Sequence, residues 1–253
     1  MLSVYSGSIF YFRAIMPRKA KSKKPTFSLQ TACKWTLKLV LYFFAISVFL
    51  VLLYKFINPP VTYLMVQRAF ERKADGKSWK IDKEWKDFDE LSFNLRKAAI
   101  AGEDANFLHH HGFDFEAIQK AFEKNQNGKK LRGGSTISQQ TAKNVFLWPG
   151  RSYIRKGFEA YFTFLIELLW SKNRILEVYL NVIEMGDGIY GAESACKTYF
   201  NKSATGLSKG EAALLIAVLP NPRKWSPASP TNYIYRRQFL ILRNMRNLGK
   251  LEF

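Results

Sequence analysis

The chain has 253 residues, 39 Lys and Arg against 20 Asp and Glu, and a formal net charge of +19. That length buries one good core, or one domain with an appendage, and a content of 47% hydrophobic and 15% aromatic residues excludes an intrinsically disordered chain. Two cysteines exclude a disulfide scaffold or a Cys-based zinc domain, while the charge first suggests a polyanionic partner: nucleic acid, anionic lipid or a phosphorylated substrate.

Residues 1–38 form a basic arm, with eight Lys or Arg and no Asp or Glu. Within it, Met16-Pro-Arg-Lys reads as a more natural start than Met1, with residues 1–15 an upstream extension. From Leu39 to Tyr54 the chain is uncharged and apolar on every side, so lipid suits it better than a core. With Phe56-Ile57 and snorkelling by Lys38 and Lys55, residues 39–57 make one transmembrane helix, which Asn58-Pro59-Pro60 stops. A cleavable signal peptide is disfavoured because no small-residue cleavage site follows Tyr54. The basic flank predicts a cytoplasmic N-terminus and an external domain over residues 60–253. Cys33 and Cys196 then fall on opposite sides and do not pair.

Helical periodicity dominates that domain. Phe88, Leu91, Leu95 and Ala98-Ala99 predict a helix leading into Glu103-Asp104. Asp114 is placed to cap a helix carrying Phe115, Ile118 and Phe122, and residues 128–134 read as a basic glycine loop. Thr136 with Gln139 predicts a capping box, and Trp148-Pro-Gly150 ends that segment. Further helices are expected over Ser152–Trp170 and Ile175–Asn181, then over Ala212–Leu219 behind a Ser208/Glu211 capping box, and over Thr231–Asn247. Met185–Gly191 reads as a turn, and no run of alternating strands stands out.

Four clusters carry possible chemistry. The first, Glu103-Asp104 through Phe107, His110, Gly112 and Asp114, offers two adjacent carboxylates near apolar groups, where burial raises a carboxyl toward a general base's range; a solvated helix end reads equally well. Three successive histidines point in different directions, which argues against one metal ion. The second, Gly133 through Asn144, places hydroxyls and amides at a helix start, suiting an anion or a sugar. In the third, Arg151, Arg155 and Glu159 share one helix side next to Lys156, suiting a phosphate group or a surface ion-pair ladder. The fourth, Lys172 to Asn181, reads by itself as an amphipathic helix.

In order, these clusters resemble the motifs of the peptidoglycan glycosyltransferases. Glu103, Asp104, Phe107, His110 and Gly112 are similar to the family's Glu-Asp-x-x-Phe-x-x-His-x-Gly pattern. Ser135-Thr136-Ile-Ser138-Gln139-Gln140 with Lys143-Asn144 resembles the second, Ser138 standing where Thr is usual. Arg155, Lys156 and Glu159 resemble the third, Lys172-x-x-Ile-Leu-Glu177-x-Tyr179-Leu-Asn181 the fourth, and Arg236-Arg237 with Leu240-Ile241 a fifth. The resemblance spans about residues 60–250 and fits the monofunctional, biosynthetic form.

The resemblance implies a mainly α, lysozyme-like, two-lobed catalytic domain behind one N-terminal transmembrane helix. It implies an enzyme of bacterial cell-wall synthesis that joins lipid II molecules, inverting the donor's anomeric carbon and releasing undecaprenyl diphosphate. Glu103 is the expected base. Lys143, Arg151, Arg155 and Lys156 are expected to neutralise the diphosphate, with Glu159 positioning them or a divalent cation (Mg2+ or Mn2+), and with a direct catalytic role second. Ser135, Gln139, Gln140 and Asn144 would line the sugar and phosphate path, and Asp104 would orient its surroundings. No protein metal site is expected. Expected partners are lipid II, the lipid-linked glycan, the inner membrane and other wall-synthesis and division proteins, but not nucleic acid. Val145–Pro149 would dip into the membrane interface or pack in the core. A lytic enzyme of the same architecture is the alternative. Ser194-Ala-Cys-Lys197 is read as a chance match to a Ser-x-x-Lys motif.

Overall fold

The computed structural model describes residues 29–116, 119, 123 and 134–252. Chain contacts divide it into two units, Met1–Ala45 and Ile46–Phe253. Helix α1, Leu29–Phe56, runs through the boundary between them. Its Ala32–Phe56 portion, 25 residues of mean hydropathy 2.4, is long and apolar enough to cross a membrane. The helix starts inside the stretch read as a basic arm, because no breaker lies between Leu29 and Asn58 and lysine is a good helix former.

In the first unit, the described apolar side chains of α1, such as Leu39, Leu41 and Tyr42, are exposed. From Ile46 onward the helix belongs to the second unit and is docked. Val51 is fully buried, its carbonyl accepts the Trp170 indole N–H at 2.8 Å, and the hydroxyls of Ser47 and Tyr161 lie 2.6 Å apart.

The second unit is mainly α, as its periodicity predicts. Helix α2, Tyr63–Ala74, starts at a Thr62 cap. Phe88–Glu90 is a 3-10 turn, and α3, Phe93–Glu103, starts only at the Ser92 cap. The helix expected from Phe88 is thus broken by two local caps, and Leu91 between them is extended. Then follow α4 (Ile137–Phe146), α5 (Tyr153–Leu169), α6 (Lys172–Val182), α7 (Ala192–Phe200), α8 (Lys209–Ala217) and α9 (Asn232–Asn247). The capping boxes at Thr136/Gln139 and Ser208/Glu211 form as expected. Residues 117–118, 120–122 and 124–133, which carry most of the helix expected after Asp114 and of the glycine loop, lie outside the described residues.

Three short strands escaped the sequence reading. They are β1 (Asp82–Lys83), β2 (Glu184–Gly186) and β3 (Ile189–Tyr190), in the order β1-β3-β2, with β3 parallel to β1 and antiparallel to β2. The expected Met185–Gly191 turn is the hairpin between the last two.

Two helix groups form the core. Helices α3, α8 and α9 pack on one another, and α4 packs on α5 and α6. Gly102 permits the close approach of the first group, since a Cβ there would come within 2.7 Å of Ile216 Cγ2 on α8. Phe146 stacks on Phe162 at 4.7 Å and Leu147 is buried, so these two residues of the Val145–Pro149 segment are core; Trp148 is exposed. Exposed apolar side chains stand instead at both ends of α5: Tyr153 and Ile154 at its start, Phe164 and Leu168 toward its end.

Candidate active site

Glu103 ends α3, and its neighbour Asp104 turns inward. The Asp104 carboxylate lies 3.0 Å from His110 Nε2 through each oxygen, and its Oδ2 accepts the Ile137 N–H at 2.9 Å. A carboxylate at a helix start satisfies an orphan donor and meets the positive end of the helix dipole, so Asp104 anchors α4 to the end of α3. The Gly112 N–H donates to His110 Nδ1 at 3.1 Å, which leaves the imidazole proton on Nε2, donated to Asp104. Gly112 has φ +88°, and a Cβ there would meet Thr163 Cγ2 at 2.8 Å; its carbonyl accepts the Thr136 hydroxyl at 2.7 Å. The first motif's Asp, His and Gly are therefore spent on shaping the loop. The histidine is a structural one.

Glu103 itself is half-buried and stays available. Its Oε2 accepts the Gln140 Nε2 at 3.0 Å, and Gln140 Oε1 accepts the hydroxyl of fully buried Tyr179 at 3.4 Å. Burial pushes the Glu103 carboxyl above the usual range. The Gln140 hydrogen bond and the charges of Arg237 and Lys143 oppose the rise, and the Asp104 charge adds to it. Burial, with the charges of Glu103 and Asp104, holds the Tyr179 phenol well above its usual value, so it remains a donor.

Lys143, on α4, feels the charges of the carboxylates of both Glu103 and Glu159. Burial lowers its ammonium pKa most; Glu159 and Glu103 raise it, and Arg155 and Lys156 lower it further. On α5, Glu159 Oε2 accepts from Arg155 Nη1 at 3.0 Å and its Oε1 accepts from Lys156. Glu159 and Arg155 are buried, Lys156 is exposed, and the Arg155 Nε is buried with no hydrogen-bond partner among the described residues.

The structure thus gathers Glu103, Gln140, Lys143, Arg155, Lys156 and Glu159. Gln139 is buried, and its side-chain oxygen accepts the Thr136 N–H at 3.0 Å, so it serves the cap. Asn144 is buried on α4 and Ser135 is half-buried just ahead of it. Arg151 is exposed before α5. The sequence reading gave no site role to Tyr179 and Arg237. Both lie in the motifs quoted above, which was the available signal; their coupling to Glu103 arises only when α9 packs on α3 and α6 packs on α4, which carries Gln140.

The donor set does not fit a protein-held divalent cation. Both Glu159 oxygens face cations, and both Asp104 oxygens are taken by His110, one of them also by the Ile137 N–H, whereas Glu103 has a single donor among the described residues, the Gln140 amide, on one oxygen. Among the described residues, no group of three or more His, Cys, Asp or Glu is gathered for a metal. Ser194 is buried, whereas Lys197 on the same helix is exposed and pairs with Glu84 at 2.6 Å, so they form no Ser–Lys dyad. Cys196 is buried, and burial pushes its thiol up to about 12; Cys33 is exposed.

The Transglycosylase family matches residues 72–246. The biosynthetic peptidoglycan transglycosylase of Pseudomonas syringae pv. syringae (strain B728a) is 49% identical over 225 residues, 89% of this chain and 95% of its own. The protein of the same name from Caulobacter vibrioides is 55% identical over 201 residues, 79% of this chain and 85% of its own. That of Bacteroides thetaiotaomicron is 51% identical over 219 residues, 86% and 88% respectively. The family match runs from α2 to the end of α9 and takes in every residue gathered around Glu103: the chain belongs to the transglycosylase family and is an enzyme of that class.

Proposed function

We propose that this transglycosylase polymerises lipid II into peptidoglycan glycan strands, with release of undecaprenyl diphosphate. The carrying observation is one half-buried carboxylate, Glu103, oriented by Gln140 and within the electrostatic influence of Lys143, which also feels the charges of Arg155, Lys156 and Glu159. Glu103 takes the proton from the acceptor's GlcNAc 4-hydroxyl as its oxygen bonds to the donor's MurNAc C1. The C1–oxygen bond to the diphosphate breaks on the opposite face, so the α-linkage becomes β. Lys143, Arg155 and Lys156 meet the charge that develops on the leaving oxygens. Glu159 holds the two α5 cations in place. No step is routed through Mg2+ or Mn2+.

A lytic reading needs a second carboxylate free to act as nucleophile or to activate water. Asp104 and Glu159 are both fully engaged, which favours transfer over hydrolysis. The span-forming α1 supports a membrane-anchored enzyme acting on the outer face of the inner membrane, its N-terminus cytoplasmic, alongside other wall-synthesis proteins. Labelled lipid II incubated with the full-length protein should give a ladder of glycan products, blocked by moenomycin. Cleavage of preformed glycan with no ladder from lipid II would overturn the reading.

A further inference from the structure

The end of α1 is gripped by side chains that no motif explains. Arg174, in the first turn of α6, donates through Nε and Nη2 to the Tyr54 carbonyl at 3.2 and 2.9 Å. Its Nη2 also reaches the Ile57 carbonyl at 3.1 Å, and its Nη1 the Asn58 side-chain oxygen at 2.8 Å. Lys83, on β1, donates to the carbonyls of Pro59 and, at 3.1 Å, Pro60. Both cations sit against one ring, Arg174 Cζ 5.4 Å and Lys83 Nζ 5.2 Å from the centre of Trp85. The Trp85 indole N–H donates to Glu177 at 3.2 Å, and Glu177 accepts Arg174 Nη1 at 2.8 Å.

The last carbonyls of a helix lack intrahelical partners and carry the negative end of its dipole, so Arg174 on the Tyr54 carbonyl caps α1, while Lys83 holds the Pro59–Pro60 segment just beyond it. Stacking against Trp85 adds attraction and fixes the guanidinium plane. The grip continues upward through the Trp170–Val51 and Ser47–Tyr161 contacts. It also reaches the site: two residues before Arg174, Lys172 donates to the His110 carbonyl at 2.6 Å and to Glu167 at 2.8 Å, and lies 4.7 Å from the Phe107 ring centre. The first turn of α6 therefore holds the anchor with one side chain and the loop after Glu103 with another.

We propose that Arg174, with Lys83 and Trp85, is a positioning clamp that locks the docked half of the anchor helix, Ile46–Phe56, to the catalytic core, so that this half and the core act as one body when a lipid-linked diphosphate is met. This rests on reading α1 as a membrane span and the substrate as lipid-linked. A leash would need no such capping. A clamp makes productive encounter with a bilayer-held substrate depend on residues remote from the chemistry, where a displacement of about 1 Å already costs of order a hundredfold.

The test uses full-length protein with spin labels at Phe49→Cys and Lys209→Cys, Cys33 replaced, in lipid nanodiscs. The wild-type background should give one narrow distance distribution, and Arg174→Ala a broad one. In parallel, KM for lipid II embedded in vesicles should rise about tenfold in Arg174→Ala, while kcat on a short-chain, detergent-dispersed analogue stays within about twofold. Arg174→Lys, which keeps the charge but not the fork, should fall between them and serves if the alanine variant fails to fold. Equal losses in both substrate formats, or an unchanged distance distribution, would overturn the proposal. If wild type makes no glycan in either format, the polymerase reading fails, and the distance distribution alone still decides the clamp.

Discussion

The side-chain amide of Gln140 donates to the Glu103 carboxylate at 3.0 Å, and this bond joins the α3–α8–α9 group to the α4–α5–α6 group. It aims the base while opposing the rise that burial imposes on its pKa. Removing the amide should therefore move the acid limb of the rate profile upward. Gln140→Ala is expected to shift that limb by roughly one pH unit and to lower kcat/KM about tenfold at neutral pH, checked by pH-dependent polymerisation kinetics. A lower kcat/KM with an unmoved limb would assign Gln140 to substrate contact only.

Glu103→Gln should abolish polymerisation, a loss of at least about a hundredfold, without unfolding the domain. The sign of its stability effect follows from the raised pKa. A carboxyl raised in the folded state binds more protons folded than unfolded, so its contribution falls as pH rises through the window above the usual carboxylate range. At neutral pH the variant should melt at or above wild type, by about 2 °C. A lower melting temperature at pH 7 but not at pH 4 would contradict the burial argument.

The cations of α5 should separate by exposure. Arg155 and Glu159 form a buried pair, with side chains 10% and 4% exposed, and Lys156 is 49% exposed. Arg155→Ala removes the donor on Glu159 Oε2 and leaves Lys156 on Oε1 as its remaining cation, and should cost about 2 kcal/mol of stability by thermal or urea unfolding. Lys156→Ala should cost less than about 0.5 kcal/mol yet weaken donor use, seen as a higher KM. An unchanged KM in Lys156→Ala at matched stability would remove it from the diphosphate site.

The overall pH profile should be a bell narrower than free carboxyl and ammonium groups give. Glu103 must be ionised and its pKa is raised; Lys143 must be protonated and its pKa is lowered. Lys143→Arg, which cannot deprotonate in this range, should extend the alkaline limb by about one unit while retaining activity. An alkaline limb that stays in place would assign it to another group.

What could be read from the sequence was local. Thr136 with Gln139 and Ser208 with Glu211 announce their helices because capping spans four residues. That Glu103 sits near apolar groups was legible from its neighbours, and the proposal that it is the base rests on its motif. Asp104 was legible as a residue that orients its surroundings, but not by which partners, since His110 and Ile137 meet it through a loop and a helix start 33 positions away. The strands were invisible because two or three residues carry no alternation, and β1 pairs with a strand more than a hundred positions later. The docking of α1 was equally hidden. An apolar run says that a helix avoids water, and Trp170, Tyr161 and Arg174 say where half of it is held.

That docked half changes what a soluble version of this enzyme can be. Cutting the chain after Ile57 would empty the seat of Val51, leave the Trp170 indole N–H without its acceptor, and bare Phe146 and Tyr161 beside a surface already showing Tyr153, Ile154, Phe164 and Leu168. A truncation meant to remove a greasy tail would instead create a greasy face. A fragment that keeps these contacts begins near Ile46, carrying the docked half of α1 as part of its core.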